Sequence, residues 1–292
     1  MRRTLLLLSG LAALLMAAAW AVAEQEPDRG TTTYLNLAGK RMTFKEVKAL
    51  LAEYPKLQKV NMFSMPLTAS QADELSALYP QIEFGWTLKI GPDHLVRTDA
   101  TAFSTLHRSG ETGHSAKALS VLRYCKKLKA LDIGHNSVDD ISWLTELPDL
   151  RVLIIAINRI SNLTPLASLD RLEYLELFSN RITDITPLKG LKRLMDLNLC
   201  YNRIEDFSPL YEMPWLRRLW IGRAANRGNP GVPREVIDTL QQKLPDTEIN
   251  FTSEPTLGGW REHPHYDVIH EMFAGYSYIP FSDSAPDGKA RP

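Results

Sequence analysis

One spacing dominates this sequence of 292 residues. Five segments between residues 128 and 221 open with the pattern L-x-x-L-x-L/I, and four of them add an asparagine at the ninth position. Their first leucines recur every 22 residues, at Leu128, Leu150, Leu172, Leu194 and Leu216. A unit that returns at a fixed period buries its apolar side chains against copies of itself. The spacing therefore predicts a solenoid with one short strand per repeat.

Each position of the 22-residue unit has an expected role. The first, fourth and sixth positions, which are Leu172, Leu175 and Leu177 in the third copy, are expected to point inward. The asparagines are expected to bond backbone groups of adjacent turns, which is a structural role. They are Asn136, Asn158, Asn180 and Asn202. Polar residues four positions further on are expected to cap short helical turns on the convex side. They are Asp140, Asn162, Asp184 and Asp206.

Residues 128–222 resemble the repeats of bacterial internalins, whose turns read N-x-I-x-D-I-x-P-L-x-x-L. The segment from Asn180 to Leu188 matches this pattern intact. Together with the repeat period, the resemblance implies an α/β fold, a leucine-rich repeat solenoid. A curved parallel sheet would form its concave face, and helices and short helical turns its convex face. Internalins are exported proteins that bind other proteins on the concave face, so the resemblance also implies protein binding.

The sequence pattern divides the chain into five parts. They are a signal peptide at 1–23, longer strand–helix repeats with a projecting hairpin at 24–127, regular repeats at 128–222, an atypical strand–helix repeat at 223–251, and a capping segment with a flexible tail at 252–292. The hairpin is expected to pair 84–90 with 95–98. The apolar side chains of the capping segment are expected to close the open end of the solenoid; they are Trp260, Tyr266, Ile269 and Phe273. The tail is expected to begin at Ser282.

The N-terminus has the pattern of a secretory signal peptide. Arg2 and Arg3 precede an apolar run over 5–19, and the small residues 21–23 suit cleavage. The protein is therefore expected to be secreted, at most loosely associated with the cell envelope; an uncleaved signal anchor is the alternative. No second apolar run is long enough to span a membrane. The 34 basic and 34 acidic residues give no reason to expect a nucleic acid partner. A monomer is expected.

The chain shows no pattern that favours an enzyme or a cofactor. Cys125 and Cys200 fall in repeats too far apart for a disulfide, so both are expected to be free thiols. His263, His265 and His270 form a histidine cluster that would suit a metal-dependent hydrolase. Because Pro264 separates the first pair and no H-E-x-x-H motif is present, a capping segment that contains histidines is preferred. We expect no catalytic residue, metal site or cofactor.

The strand positions that face the concave side carry the candidate binding site. Alternation along a strand selects positions three, five, seven and eight of each repeat. Aromatic, aliphatic and charged residues occur there together, which is the composition of an interaction surface. The candidate ligand-binding residues are Val152, Ile154, Tyr174, Glu176, Phe178, Asp196, Asn198, Tyr201, Arg218 and Trp220. Alternatively, the C-terminal tail or the projecting hairpin covers these side chains.

The function expected from the sequence is a secreted, non-catalytic binding module. It would recognise an extracellular protein or peptide through the concave strand face. A cell-envelope scaffold or a glycan-binding protein is the alternative, because exposed aromatic rings also suit sugars. Replacement of Tyr174, Phe178 and Trp220 with alanine would separate binding from scaffolding.

Overall fold

A computed structural model describes residues 27–91, 94–107, 112–222, 232–251, 255–256 and 259–284. The predicted signal peptide and residues 285–292 of the predicted tail lie outside these ranges. Within the described part, no helix has both the length and the apolar character needed to cross a membrane.

A parallel sheet of seven strands forms the concave side of the solenoid. Each strand pairs in register with its neighbours, so equivalent positions of successive repeats lie side by side; Leu153, for example, pairs with Leu131 and Leu175. The strands are β5 (Ala102–Ser104), β6 (Ala130–Asp132), β7 (Val152–Ile154), β8 (Tyr174–Glu176), β9 (Asp196–Asn198), β10 (Arg218–Trp220) and β11 (Glu248–Asn250). The predicted leucine-rich repeat solenoid is therefore confirmed.

A separate sheet of four strands precedes it, in the order β1-β2-β3-β4. These strands are β1 (Tyr34–Asn36), β2 (Lys59–Leu67), β3 (Glu83–Ile90) and β4 (His94–Arg97). β3 and β4 pair antiparallel, which confirms the hairpin. Helices α1 (Phe44–Ala52) and α2 (Ala69–Leu78) connect the parallel strands, and each begins at a capping box, at Thr43 and Thr68. The short helix α3 (Ala116–Leu119) leads into the regular repeats.

The convex side consists of short 3₁₀ turns, as the capping pattern predicts. They span Ser120–Tyr124, Ser142–Glu146, Thr164–Ser168, Thr186–Gly190 and Ser208–Glu212. Before each of the last four, a side-chain Oδ1 accepts a hydrogen bond from the backbone N–H two residues further on. The distances are 2.8 Å for Asp140, Asp184 and Asp206 and 2.9 Å for Asn162. Each of these side chains thus bonds the first N–H of the following turn, which is a structural role.

The asparagines bond adjacent turns to one another, as predicted. Asn180 is typical: its Nδ2 donates to the carbonyls of Leu177 and Ile155, both at 3.0 Å. Its Oδ1 accepts from the N–H of Ile160, also at 3.0 Å. One amide side chain thus satisfies backbone groups of two neighbouring repeats, which explains its recurrence in every full repeat.

The inward leucines of the repeats form one continuous core. Leu172, Leu175 and Leu177 are fully buried, as are their counterparts in the other copies. Cys125 belongs to this core, while Cys200 is buried on the concave side, and neither forms a disulfide.

The eighth position of each repeat does not belong to the concave strand, contrary to expectation. The strands end after position five, and position eight lies in a turn with a left-handed backbone. Four residues there have φ between 53° and 58°: His135, Ile157, Ser179 and Tyr201. A β-branched or aromatic side chain is uncommon in that conformation. The recurring turn imposes it on whichever residue occupies the position.

The C-terminal part contains helix α4 (Arg234–Lys243), strand β11 and helix α5 (Pro264–Gly275). α4 and β11 add the atypical repeat at the end of the sheet. The expectation that the following segment closes the open end is wrong. It lies on the concave side of the sheet instead, where Tyr278 donates its N–H to Thr101, beside the first strand, β5.

Candidate functional site

The C-terminal segment covers the concave face of the solenoid. We call its described residues, 255–256 and 259–284, the tail. Trp260 is fully buried against side chains of β8 and β10, with its ring centroid 5.1 Å from that of Trp220 and 5.4 Å from that of Tyr174. Ile269, Met272, Phe273 and Phe281 of the tail join the apolar side chains of β5–β10 in a second core. The hydrophobic effect therefore holds the tail on the sheet.

This covering decides the environment of the predicted ligand-binding residues. Nine of the ten are buried, and Tyr201 is half-buried. The nine are Val152, Ile154, Tyr174, Glu176, Phe178, Asp196, Asn198, Arg218 and Trp220. The sequence left open whether this face is exposed or covered, and in the structure the tail removes these side chains from water. The alternative of a covering by the tail is confirmed, while ligand binding by these residues stays a prediction.

Polar groups of the face also bond to the tail. Asn198 donates its Nδ2 to the carbonyl of Pro255 at 2.8 Å. Arg218 donates its Nη1 to the carbonyl of Trp260 at 3.2 Å, and the indole N–H of Trp260 donates to Oε1 of Glu176 at 2.8 Å. Buried polar groups need such partners. The face and the tail are thus complementary in both apolar and polar groups.

One buried set of charges, which we call the ionic cluster, joins the tail to the sheet. Arg218 donates from Nε and Nη2 to the two oxygens of Asp196, each at 2.9 Å. His265 of the tail lies 2.5 Å from Asp196 through Nδ1 and 2.8 Å from Asp283 through Nε2. Arg217 pairs with Asp283 at the rim. The two arginines and the histidine alternate with the two carboxylates.

The ionic cluster shifts the pKa of each of its central groups. Burial alone would lower the pKa of His265, but its hydrogen bonds to Asp196 and Asp283 and their charges raise it overall. Burial acts to raise the pKa of the Asp196 and Asp283 carboxyls. The hydrogen bond of each to His265 lowers its pKa overall, with a further lowering by Arg218 at Asp196 and by Arg217 at Asp283. The folded state therefore favours the charged form of all three groups.

The stability contributed by the tail is expected to depend on pH. The contribution of His265 is complete below its ordinary pKa of 6.5 and is lost as the pH rises through the raised folded value. The contributions of Asp196 and Asp283 to stability are complete above their ordinary pKa of 3.8. They are lost as the pH falls through the lowered pKa values of the folded state. After correction for the intrinsic exchange rate, amide hydrogen exchange of α5 should therefore be slowest between pH 3.8 and pH 6.5 and faster at alkaline pH.

His265→Gln is the control for this prediction. His263 also faces His265, Arg217 and Arg218 pair with the two carboxylates, and burial raises the pKa values of Asp132 and Glu176 elsewhere on the face. The part of the pH dependence of α5 exchange that disappears in His265→Gln is the part that belongs to His265. An unchanged alkaline slope in His265→Gln would contradict the assignment.

The histidines do not assemble as the metal-site hypothesis requires. His263 and His265 come together with Asp196, with one potential ligand atom of each within 4.8 Å of the others. His270 lies elsewhere, with its ring 5.5 Å from that of His107. Zinc would accept such donors, but the Arg218 guanidinium already holds both oxygens of Asp196. His265 also uses both ring nitrogens, so the arrangement is that of an ion-pair network.

A cavity of about 280 Å³ remains between the sheet and the tail, and we call it the carboxylate cavity. From the repeats it is lined by Ser104, Leu106, His107, Asp132, Gly134, His135, Ile154, Ala156, Glu176 and Phe178, and from the tail by Arg261, Tyr266, Ile269, His270 and Phe273. The lining includes exposed residues at the mouth, His135, Arg261 and His270. Three of the predicted ligand-binding residues, Ile154, Glu176 and Phe178, line it.

Two buried carboxyl groups give the cavity its chemistry. Burial raises the pKa of Asp132, against the hydrogen bonds from Gly134 and Ser104. Burial also raises the pKa of Glu176, against the hydrogen bonds from Tyr174 and Trp260. Each carboxyl therefore lies in surroundings that stabilise its charge less than water does.

Sequence reasoning offered a covering by the tail but missed two charged residues of the tail that belong to this site. Asp283 falls in the segment expected to be flexible, yet it contacts His265 and Arg217. Arg261 was not singled out either. A signal was available: the concave positions carry charges and aromatic rings, and residues 260–283 carry further rings, an arginine and three histidines.

Comparison with known proteins supports the repeat assignment. A family model described as "Leucine Rich repeats" matches in two copies, at residues 148–190 and 170–212. No curated protein matches the chain in sequence. Among solved structures, an internalin (inlF) from Listeria monocytogenes is similar at 23% identity and a TM-score of 0.43, over 70% of this chain and 57% of that one. This chain therefore spans less than two thirds of that internalin.

A second similar structure is internalin C2 (inlC2) from Listeria monocytogenes. It aligns at 25% identity and a TM-score of 0.37, over 61% of this chain and 80% of that one. The 22-residue period, the register of the strands and the family match all indicate repeats in the centre of the chain. The chain therefore carries leucine-rich repeats, matched by that family over residues 148–212.

Proposed function

We propose that the protein is a secreted, non-catalytic module that binds a protein or peptide on its concave side, at the carboxylate cavity. The observation that carries this proposal is the cavity itself. It is the part of the concave face where apolar and charged side chains of the repeats lie beside exposed residues of the tail. Elsewhere on β8–β10 the predicted binding residues are packed against the tail.

The dimensions and lining suit one side chain of a larger ligand. A cavity of about 280 Å³ is at the lower end of the usual size of small-molecule sites, roughly 300–1,000 Å³. Apolar walls with a few polar groups are typical of specific binding pockets. The signal-peptide pattern at residues 1–23 supports an extracellular ligand. The burial of Tyr174 and Trp220 gives no support to sugar stacking on those rings.

Selection from a random peptide library tests the proposal. The expected result is a set of peptides that bind the native protein and bind His270→Trp at least about fivefold more weakly, because a pocket-filling contact contributes roughly 1–3 kcal/mol. His270 is exposed at the mouth of the cavity, so the indole should block entry without disturbing the core.

Glu271→Trp is the matched control. It places the same ring on the adjacent exposed position of α5, outside the cavity lining. Selected peptides should bind this variant as they bind the native protein. Peptides that bind both tryptophan variants equally well would place the binding surface elsewhere and overturn the proposal.

A further inference from the structure

The floor of the carboxylate cavity carries two acidic side chains in equivalent places. Asp132 and Glu176 occupy the same strand position in β6 and β8, with Ile154 of β7 between them in register. Both oxygens of Asp132 accept from uncharged donors, the N–H of Gly134 at 2.9 Å and Oγ of Ser104 at 2.8 Å. Neither carboxyl forms an ion pair within the described ranges of the chain.

Glu176 is the group that indicates a ligand. Its Oε1 accepts from the hydroxyl of Tyr174 and the indole of Trp260. Its Oε2 is buried and has no hydrogen-bond partner among the residues that the structure describes. A buried carboxylate oxygen without a donor is costly. Glu176 lines the carboxylate cavity, so the cavity is where we place the missing donor.

The remaining walls restrict the type of donor. Ile154, Phe178 and Phe273 give the cavity apolar sides. Arg261 lies at the mouth, with its guanidinium carbon 5.0 Å from the ring centroid of Tyr266. Its charge lowers the pKa of both floor carboxyls, but it forms no ion pair with either among the described residues. An alkyl chain that ends in a positive charge fits both the apolar sides and the acidic end.

We propose that the carboxylate cavity binds an alkylammonium group, such as the side chain of a lysine, with Oε2 of Glu176 accepting its hydrogen bond and Asp132 adding a second negative charge. This inference rests on the proposed function for the source of the ligand, a basic residue of a bound peptide. A free alkylamine shares the same chemistry.

The titration of the floor supports this choice. Because burial raises the pKa of both carboxyls, protons compete with an ammonium ligand, and affinity should fall as the pH is lowered. Tyr174 and Trp260 face Glu176, Ser104 faces Asp132, and the charge of Arg261 acts on both. His107, His135 and His270 also line the cavity, so the part of the pH dependence lost in Glu176→Gln is the part that belongs to Glu176.

NMR titration of the Ile154 methyl group tests the proposal with defined probes. The probes are two pentapeptides, acetyl-Gly-Gly-Lys-Gly-Gly-amide and its norleucine counterpart, together with n-butylammonium. The lysine peptide should bind about tenfold or more tightly than the norleucine peptide, since a hydrogen bond to a charged group contributes that much. Glu176→Gln should remove this preference while it keeps an acceptor for Trp260 and Tyr174.

Glu271→Gln is the control, because it removes the same charge from an exposed position of α5 outside the cavity. Asp132→Asn is a second variant in case Glu176→Gln does not fold. Equal binding of the lysine and norleucine peptides overturns the proposal, as does a preference that survives both floor variants. A lysine peptide that binds more tightly than n-butylammonium assigns the ligand to a peptide; equal affinities assign it to a small amine.

The two proposals fail in different ways. If library selection yields cavity-dependent peptides without basic residues, the proposed function stands and the ammonium subsite is wrong. If n-butylammonium binds in a Glu176-dependent way while no peptide shows cavity dependence, the subsite stands and protein binding at this place is wrong.

Discussion

An Asp196→Ala substitution is expected to lower the free energy of unfolding by about 3–5 kcal/mol, because it leaves a buried cation without its counter-charge. The Arg218 side chain is only 3% exposed, and two of its nitrogens donate to Asp196. His265 loses its closest carboxylate in the same step. Equilibrium denaturation in urea or guanidinium measures the change.

Two further variants show whether this loss of stability comes from the buried ion pair. Asp196→Leu combined with Arg218→Met should recover much of the stability, because replacing both partners of a buried pair with apolar residues is often nearly neutral. Asp283→Ala removes a carboxylate at the exposed rim of the same cluster and should cost roughly 1 kcal/mol or less. If Asp196→Ala costs no more than Asp283→Ala, the buried pair does not have the role assigned to it.

A Trp260→Ala substitution is expected to cost about 3–5 kcal/mol and to free the tail from the sheet. The ring is fully buried between Tyr174 and Trp220, and its N–H is a hydrogen-bond donor to Glu176. Its removal leaves a cavity in the second core and takes one donor from a buried carboxyl. Denaturation measures the stability, and hydrogen exchange of α5 measures the release of the tail.

Trp215→Ala is the matched control on the other side of the solenoid. Trp215 is half-buried and donates its N–H to the carbonyl of Leu191 at 2.9 Å. Its loss should be smaller and should leave the exchange of α5 unchanged, because Trp215 belongs to the core of the repeats and not to that of the tail. Equal acceleration of α5 in both variants would contradict the assignment of Trp260 as the anchor.

The regular repeats show how far a sequence can specify a structure through local rules. Leucines at a fixed period, an asparagine such as Asn180 and a cap such as Asp184 each act within one turn or between adjacent turns. Because neighbouring repeats are alike, knowledge of one repeat gives its contacts with the next. The left-handed turn at position eight was missed, because residues as different as Ile157 and Ser179 occupy it.

The candidate site lies outside the reach of such rules. The residues predicted on the concave face were identified by alternation along the strand, and alternation shows only which side of the sheet a side chain faces. It does not show whether another segment covers that side. The hydrogen bond from Trp260 to Glu176 joins residues 84 positions apart, and that from Tyr278 to Thr101 joins residues 177 apart.

The sequence by itself thus determined the solenoid, its core, its asparagine ladder and its convex caps, because these follow from contacts between neighbouring copies of one unit. Only the tertiary structure decided that the tail lies on the concave face and that the carboxylate cavity remains beside Glu176. The physical reason is that docking of the tail depends on apolar area and charge matched across long sequence separations, for which the chain carries no repeating signal.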